Sequence, residues 1–425
     1  MSIILNKDEL LESNSKLRRD ALQILEAGYS AINTEKILRS QITLEEGGAL
    51  CIENTGFQCS FYERIFFVGI GKCAFEGAEV IEDILGDQLT DGVVIDVKIG
   101  SLKKIRCYQG THPYPSEANV FATREILEMI KGVTERDLVL VLISGGGSSL
   151  LCQPHNISVE NLIEITKTLT QRGADIFELN TVRKHLSLVQ GGNLAKLCFP
   201  SQVVSLIFSD VLGNDISMIA SGPTIIDTTS KEDAGKILKK YEIQNYEITE
   251  TPKDQKYFDN VKNVLVCSNQ NALIAMKSKA EELGFNTSIE TEKLSGDASE
   301  VGKELATKEI RAKTCLLFGG ETTVKIMGEG GMGGRNQEMA LSALPLIKPN
   351  SVLICAASDG WDNTPHAGAL VDSELFEKAK NLNLSPEKFL AKSDSYNFFK
   401  QVEDGALCTG RLGSNVSDLY IMLYE

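Results

Sequence analysis

Short apolar runs that end in glycine, serine or aspartate and lead into amphipathic segments recur along most of this chain. The runs at 66–71, 138–144 and 203–209 each have the length of one buried strand, and segments with helical spacing lie between them. Strands that enter helices through short glycine turns form parallel sheets with helices on both faces. The pattern therefore predicts an α/β fold.

The length of 425 residues favours more than one domain. Residues 226–262 carry little apolar pattern, and we place a domain boundary within them. The first domain then spans 1–240 and the second, also α/β, spans 241–425. Apolar spacing within 1–40 predicts one or two helices, for which packing on the other domain is an alternative. The strands expected in the second domain lie at 315–320, 322–328 and 352–358.

Charge and cysteine content exclude several classes of protein. The chain has 43 Lys and Arg against 58 Asp and Glu, a net charge of −15 that does not attract nucleic acid or an anionic membrane. There is no signal-peptide pattern and no apolar run long enough to span a membrane. The ten cysteines are scattered without a Cys-x-x-Cys pair, and there are only four histidines. We therefore expect a cytoplasmic protein with reduced thiols, which holds anionic ligands by local charges.

Two glycine turns in the first half are candidate anion sites. Gly71 and Lys72 lie in a G-x-G-x-x-A turn between a strand and a helix, where a cation beside free amides suits phosphate or carboxylate. A second turn follows the most apolar run, and its glycines can form a nest of N–H groups to which serines add donors. That turn consists of Ser144, Gly145, Gly146, Gly147, Ser148 and Ser149. The alternatives are a solvated lysine and a purely structural loop.

Charged residues elsewhere add further candidates. Arg183, Lys184 and Ser187 are expected on one helix face, with a solvated face as the alternative. Asp210 and Asp359 each follow an apolar run, and open α/β sheets bind ligands at the ends of their strands. A carboxylate there can hold Mg²⁺ or accept a proton, although the Asp359 segment has a simple turn as its alternative.

A glycine-dense loop in the second half carries the last candidates. Its five glycines between 328 and 334 cost conformational entropy unless the backbone approaches something closely. Arg335 and Asn336 lie where the loop enters an apolar helix, and a guanidinium fork there suits a phosphoryl group. A flexible hairpin tip is the alternative. The candidate binding residues in this region are Glu321, Thr322, Gly333, Gly334, Arg335 and Asn336.

Taken together, these segments resemble the glycerate 2-kinase family, whose members carry the MOFRL domain. The resemblance runs from Gly69 to Asp418 and rests on ten segments in order: VGIGKCA, GTHPYPSEAN, ISGGGSSLL, LNTVRKHLS with GGNLA, SDVLGNDISMIASGPT, GGETTV, GGRNQEMAL, SDGWDN with AGA, DSYNFF and GSNVSDL. The chain departs from the family pattern at Gln190, where the family has lysine, at 411–412, and in a shortened turn at 361–364. These departures bear on substrate choice more than on the reaction.

The resemblance implies a Rossmann-like first domain and a mixed α/β, MOFRL-type second domain, with the active site in the interdomain cleft. It implies that Mg²⁺ and ATP serve the phosphorylation of D-glycerate to 2-phosphoglycerate. By position, the family's essential lysine corresponds to Lys72 and its essential arginine to Arg335. Asp210 and Asp359 complete the expected catalytic set, and which of them binds metal is left open. The partners would be small molecules, neither nucleic acid nor membrane, with a homodimer left open.

Two rival functions follow from the same residues. The Lys72 turn also satisfies the dinucleotide-binding fingerprint, with Asp96 where a ribose-binding acid would lie, and some family members have been labelled hydroxypyruvate reductases. An NAD(P)H-dependent reductase has no need of two further anion-binding glycine loops. A non-catalytic sugar-acid-binding protein has no need of two cations, Lys72 and Arg335, to neutralise a phosphoryl group. We therefore favour the kinase.

Overall fold

The computed structural model describes residues 2–12, 15–309, 311–326 and 330–425, and this part of the chain forms two compact units. The first unit comprises residues 34–266, and the second comprises residues 1–33 together with 267–425. The boundary therefore lies later than the one placed at 240/241 from sequence. The reason is that the strand at Val261–Cys267 joins the sheet of the first unit.

The strands and helices are numbered in chain order. The strands are β1 (Ile42–Leu44), β2 (Ala49–Ile52), β3 (Thr55–Gln58), β4 (Arg64–Ile70), β5 (Asp91–Asp96), β6 (Ile105–Gln109), β7 (Asp137–Ile143), β8 (Gln202–Phe208), β9 (Val261–Cys267), β10 (Asn286–Leu294), β11 (Thr314–Gly320), β12 (Ser351–Ala357), β13 (Gly368–Asp372), β14 (Ala406–Leu407) and β15 (Asp418–Tyr424). The helices are α1 (Lys7–Leu10), α2 (Lys16–Ala31), α3 (Thr34–Gln41), α4 (Ala74–Leu85), α5 (Glu117–Met129), α6 (Gly147–Leu150), α7 (Val159–Gln171), α8 (Ile176–His185), α9 (Asn193–Cys198), α10 (Lys231–Lys240), α11 (Asn269–Glu282), α12 (Ala298–Thr307), α13 (Arg335–Ala343), α14 (Ser373–Asn381), α15 (Pro386–Leu390) and α16 (Ser395–Val402).

The main sheet of the first unit has the strand order β6-β5-β4-β7-β8-β9. The pairs β4–β5, β4–β7, β5–β6 and β7–β8 are parallel, as the alternation of apolar runs and helices predicts. The last residues of the two central strands, Ile70 and Ile143, are partners in register. The glycine turns that follow these strands therefore start side by side at one edge of the sheet.

The sheet of the second unit is mixed, with the order β10-β11-β15-β12-β13-β14. β10 and β11 are parallel, whereas β15 lies antiparallel between β11 and β12. Its first residue, Asp418, is paired with Gly320 at the end of β11 and with Ala357 at the end of β12. The start of β15 thus carries a carboxylate to the edge where its two neighbours end.

The expected strand at 322–328 is wrong for its described residues. β11 ends at Gly320, and Thr323 forms an isolated bridge with Asp297, in the loop before α12, in place of a strand. The backbone N–H of Thr323 donates to the carbonyl of Gly296 at 2.9 Å. Met327, Gly328 and Glu329 lie outside the described residues.

Helices α1 and α2 belong to the second unit, in which α2 makes buried contacts, whereas α3 belongs to the first unit. Arg18 of α2 is 1% exposed, and its guanidinium donates to both carboxylate oxygens of Asp372 and to Asp404. A Cβ added at Gly28 would lie 2.7 Å from the side chain of Met276 in α11, so α2 and α11 pack closely. Within the described ranges, no helix is long and apolar enough to cross a membrane.

Candidate active site

The two glycine turns of the first unit form one site. Gly71 has φ +120°, and a Cβ there would lie 2.2 Å from the hydroxyl of Ser144, so glycine is required for this approach. The backbone N–H of Lys72 donates to the carbonyl of Gly145 at 3.0 Å. The N–H of Cys73 donates to the Ser144 hydroxyl at 3.3 Å. Lys72 is therefore held by backbone contacts directly against the second turn.

The glycines of the second turn allow side chains to lie against its backbone. A Cβ at Gly146, where φ is +85°, would lie 3.2 Å from the ring of His112 and 3.3 Å from Cγ of Lys72. A Cβ at Gly147 would lie 2.5 Å from Cβ of Ala220. The lysine stem and the histidine ring thus flank Gly146.

His112 is a site residue that the sequence reasoning did not single out. Burial first, and then the positive charges of Lys72 and Arg183, lower the pKa of His112 to about 4. The imidazole is consequently neutral at pH 7, and the site keeps two cations around a neutral ring. The signal was present in the segment GTHPYPSEAN, which contributed to the family resemblance without a role for its histidine.

Arg183 lies in α8 and lines a pocket together with Ser148, Ser149 and Ser187. Burial lowers the pKa of Arg183. Lys184 does not share this face, and that part of the prediction is wrong. Its ammonium lies 3.1 Å from the buried carboxylate of Asp227, since neighbouring residues of a helix point in different directions.

Two aspartates of the first unit have different surroundings. Asp96 is fully buried, and its carboxylate accepts the backbone N–H groups of Phe75 at 3.0 Å and Lys98 at 3.1 Å. It binds the start of α4 and is not exposed to a ribose. Asp210 lies two residues beyond the end of β8 and is half-buried.

In the second unit, Arg335 opens α13 and is held by two carboxylates. Its Nε and Nη2 donate to the two oxygens of Asp418, the latter at 3.1 Å, and its Nη1 donates to Glu321 at 2.6 Å. Burial would lower the pKa of Arg335, but the charges of Asp418 and Glu321 outweigh it and raise the pKa. The guanidinium is therefore charged and fixed in orientation. Asp418, which the sequence reasoning did not select, lies in the segment GSNVSDL.

The described part of the glycine-dense loop approaches the protein's own side chains. A Cβ at Gly333, where φ is +157°, would lie 2.1 Å from the hydroxyl of Ser395, and one at Gly334 would lie 2.2 Å from a carboxylate oxygen of Asp362. The predicted close approach exists, and its partner is internal. A phosphate-binding role for Gly333 and Gly334 stays a prediction, and the loop's first glycine, Gly328, lies outside the described residues.

Asp362 binds the backbone of the first turn of α13, which contains Asn336. Asn336 is fully buried, and Asp362 accepts the backbone N–H groups of Asn336 at 3.2 Å and Gln337 at 2.9 Å. Burial, followed by the charge of Asp418, raises the pKa of Asp362 to about 6. Thr322 is also buried. Asn336 and Thr322, both predicted to bind substrate or phosphate, are thus enclosed by protein in this structure.

Asp359 lies two residues beyond the end of β12 and is half-buried. Its carboxylate accepts the backbone N–H of Trp361 at 3.1 Å. The guanidinium of Arg411 lies 4.0 Å from the centre of the Trp361 ring, which is a cation–π contact. Two of the departures from the family pattern are therefore in contact with each other beside Asp359.

Two family models and several curated proteins match this chain over most of its length. The model described as "Domain of unknown function (DUF4147)" matches residues 20–252, and the MOFRL family model matches residues 314–418. D-glycerate 2-kinase of Thermotoga maritima is 40% identical over 85% of this chain and 91% of its own length. Glycerate 2-kinase of Pyrococcus horikoshii is 36% identical over 98% of this chain and 97% of its own.

The likeness extends to a solved structure. The crystal structure of glycerate kinase from Thermotoga maritima superposes with a TM-score of 0.84 at 35% sequence identity, covering 96% of this chain and 99% of the other. This match confirms the α/β fold with its parallel first sheet and mixed second sheet. With these relatives and these domain matches, the chain belongs to the glycerate kinase family that carries the MOFRL domain.

Proposed function

We propose that this chain transfers the γ-phosphoryl group of ATP to the 2-hydroxyl group of D-glycerate and so produces 2-phosphoglycerate. The observation that carries the proposal is the Lys72 turn packed on the turn at 144–149, with the cation Arg183 and the neutral ring of His112 nearby. Phosphoryl transfer requires positioning and neutralisation of negative charge more than covalent chemistry from the protein. Relatives named glycerate kinases support the same reaction.

In this proposal, Lys72 and Arg335 neutralise the transferred phosphoryl group. Three of the five N–H groups of Arg335 donate to Asp418 and Glu321 in the described part of the chain, so two are left for a phosphoryl oxygen. Because those carboxylates fix the guanidinium plane in advance, little reorganisation is needed when charge develops. The backbone N–H groups of Gly145 and Gly146 are the candidate donors for phosphate oxygens. Those of Gly71, Lys72, Cys73 and Gly147 already donate to oxygens of the protein.

The residues present fit Mg²⁺ as a companion of the nucleotide. Among the described residues, no group of three or more His, Cys, Asp or Glu side chains is arranged to hold a metal ion. Mg²⁺ in phosphoryl-transfer enzymes is commonly bound by one or two carboxylates together with substrate phosphates. Asp210 and Asp359 are half-buried carboxylates just beyond strand ends, and either would supply such a ligand. When bound, the metal would neutralise phosphate charge.

The reductase rival is disfavoured by Asp96. A dinucleotide fold uses an acid at the end of its second strand to bind the ribose hydroxyls. Here that acid is fully buried and accepts two backbone N–H groups. The fingerprint at the Lys72 turn therefore lacks its ribose-binding partner. A cytoplasmic location and a homodimer stay predictions.

The direct test combines both chemistries in one experiment. The purified protein is incubated with D-glycerate and Mg·ATP, while ADP is measured by a coupled assay and the product by ³¹P NMR. A parallel reaction contains NADH and hydroxypyruvate and is followed at 340 nm. We expect ADP and 2-phosphoglycerate to form in equal amounts, with no oxidation of NADH. Oxidation of NADH without formation of ADP would refute the kinase in favour of the reductase, and binding of D-glycerate with neither reaction would favour a sugar-acid-binding protein.

A further inference from the structure

A small pocket beside the turn at 144–149 has an unusual balance of charge. It is lined by Arg183 and Ser187 together with Ser148, Ser149 and Gln190. Arg183 forms no ion pair or side-chain hydrogen bond with any residue that the structure describes, although burial lowers its pKa. Arg183 is half-buried, and a guanidinium that is partly withdrawn from water without a carboxylate partner is costly unless a ligand supplies one.

The two serines of the turn present only lone pairs to this pocket. The hydroxyl of Ser221 uses its one hydrogen to donate to Oδ1 of Asn180 at 3.0 Å. In the 3.0 Å contact between the hydroxyls of Ser148 and Ser221, Ser148 is therefore the donor. The hydroxyl of Ser149 donates to the carbonyl of Pro113 at 2.6 Å. Since a hydroxyl has one hydrogen, both serine oxygens can only accept from a ligand.

Gln190 is restricted in the same way. Its Nε2 donates to the carbonyls of Ser148 at 2.9 Å and Leu151 at 3.0 Å, which uses both amide hydrogens. Its Oε1 is thereby left as an acceptor. A lysine at this position, as in the family pattern, would present donors only.

Ser187 has the opposite character. Its oxygen accepts the backbone N–H groups of Val189 and Gln190, both at 3.2 Å. No described residue accepts a hydrogen bond from its O–H, which is therefore a donor for a ligand. The pocket thus combines donors from Arg183 and Ser187 with acceptors from Gln190 and the two serines.

We propose that this pocket binds the acceptor substrate, with Arg183 and Ser187 donating to its carboxylate and Gln190 accepting from its 3-hydroxyl. The inference deepens the proposed function and rests on it. The phosphate groups of ATP carry almost no hydrogen to donate at neutral pH, and in this pocket they would face the acceptors of Gln190, Ser148 and Ser149. The nucleotide phosphates are therefore assigned to the Lys72 side of the turn, and Gln190 is a specificity-determining residue.

Steady-state kinetics separate the two ligands. For Arg183→Gln, we expect the KM for D-glycerate to rise roughly 10- to 100-fold, because a charge-assisted hydrogen-bond pair is lost. The KM for ATP should stay within about twofold. The matched control is Arg136→Gln, an arginine whose side chain is 57% exposed, and it should leave both constants unchanged. A raised KM for ATP with an unchanged KM for D-glycerate would overturn the assignment.

Direct binding tests the pocket even if no turnover is found. Calorimetry on the wild type without nucleotide compares four ligands: D-glycerate, D-lactate, glycerol and inorganic phosphate. D-lactate lacks the 3-hydroxyl, and glycerol lacks the carboxylate. We expect D-glycerate to bind most tightly, and Arg183→Gln to weaken D-glycerate and D-lactate equally. Gln190→Lys should reduce the preference for D-glycerate over D-lactate, with folding checked by circular dichroism. Tighter binding of phosphate than of D-glycerate, or an unchanged preference in Gln190→Lys, would refute the proposal.

Discussion

Lys72 is placed by backbone contacts, since its own N–H donates to the carbonyl of Gly145 and the preceding Gly71 makes the close approach to Ser144. Lys72→Ala should therefore fold normally and lose a charge that acts on the transition state. We expect kcat to fall on the order of a hundredfold or more. The measurement is initial-rate kinetics at saturating ATP and D-glycerate.

The matched control for Lys72 is Lys131→Ala, in which a lysine with a 73% exposed side chain is removed. This variant should keep wild-type kcat. If Lys72→Ala also kept it while remaining folded, Lys72 would be a solvated lysine at a structural turn.

Glu338 is a buried acid in α13 with an unusual proton affinity. Burial, followed by the charges of Asp297 and Asp362, raises the pKa of Glu338 from 4.5 to about 7. Between pH 4.5 and about pH 7, the folded protein binds more protons at this site than the unfolded chain does, so the free energy of unfolding falls as pH rises. Each unit of pKa corresponds to about 1.4 kcal/mol. The free energy of unfolding of Glu338→Gln, relative to wild type, should therefore be about 1–3 kcal/mol higher at pH 8 than at pH 4.5.

Urea unfolding of wild type and Glu338→Gln from pH 4.5 to 8 measures this difference. Glu128→Gln, at a position whose side chain is 70% exposed, is the control and should show no such pH dependence. If the free-energy difference between Glu338→Gln and wild type were constant across this range, folding would not raise the pKa of Glu338.

At the scale of the elements, the ends of two strands position the candidate metal-binding carboxylates. Asp210 and Asp359 lie two residues beyond β8 and β12, respectively. We expect that at least one of Asp210→Asn and Asp359→Asn raises the Mg²⁺ concentration needed for half-maximal rate about tenfold or more, because a carboxylate ligand is lost. Mg²⁺ titrations of the rate at fixed ATP provide the measurement.

Trp361 offers an independent reading of the same element. It is the single tryptophan of the chain, and its backbone N–H donates to Asp359. Its fluorescence should therefore change on addition of Mg·ATP if Asp359 is the metal ligand, and respond less in Asp359→Asn. Asp215→Asn, at an acid whose carboxylate accepts from Ser217, serves as control for both measurements. If neither aspartate variant changed the Mg²⁺ requirement, the carboxylate assignment would be wrong and the nucleotide alone would hold the metal.

For the molecule as a whole, the decisive question is whether Lys72 of the first unit and Arg335 of the second act on one phosphoryl group. If they do, the double variant Lys72→Ala/Arg335→Ala should lose less activity than the product of the two single losses. Arg335→Lys should also lose much of the rate, because an ammonium does not replace a guanidinium fork. Strictly multiplicative losses in kcat would instead indicate independent roles.

The alternation of apolar runs and glycine turns is enough to predict the α/β class, β4 and β7, and the glycine turns that follow them. These are local features, because a buried strand must be apolar and a tight turn needs glycine. The ordered motifs likewise identify the family. The register that pairs Ile70 with Ile143, and so brings Gly71 against Ser144, is a long-range contact that such patterns do not encode.

The other differences have the same physical origin. The glycine at 333 is explained by contact with Ser395, and the orientation of Arg335 by Asp418, partners that lie 62 and 83 residues further along the chain. The strand β9 falls in the first unit for a similar reason, since hydrogen bonding within a sheet outweighs the composition of the preceding loop. Local sequence therefore specifies which residues have the chemistry to contact a ligand. Long-range packing specifies which of them are exposed to one and which, like Asp96 and Asn336, are used within the protein.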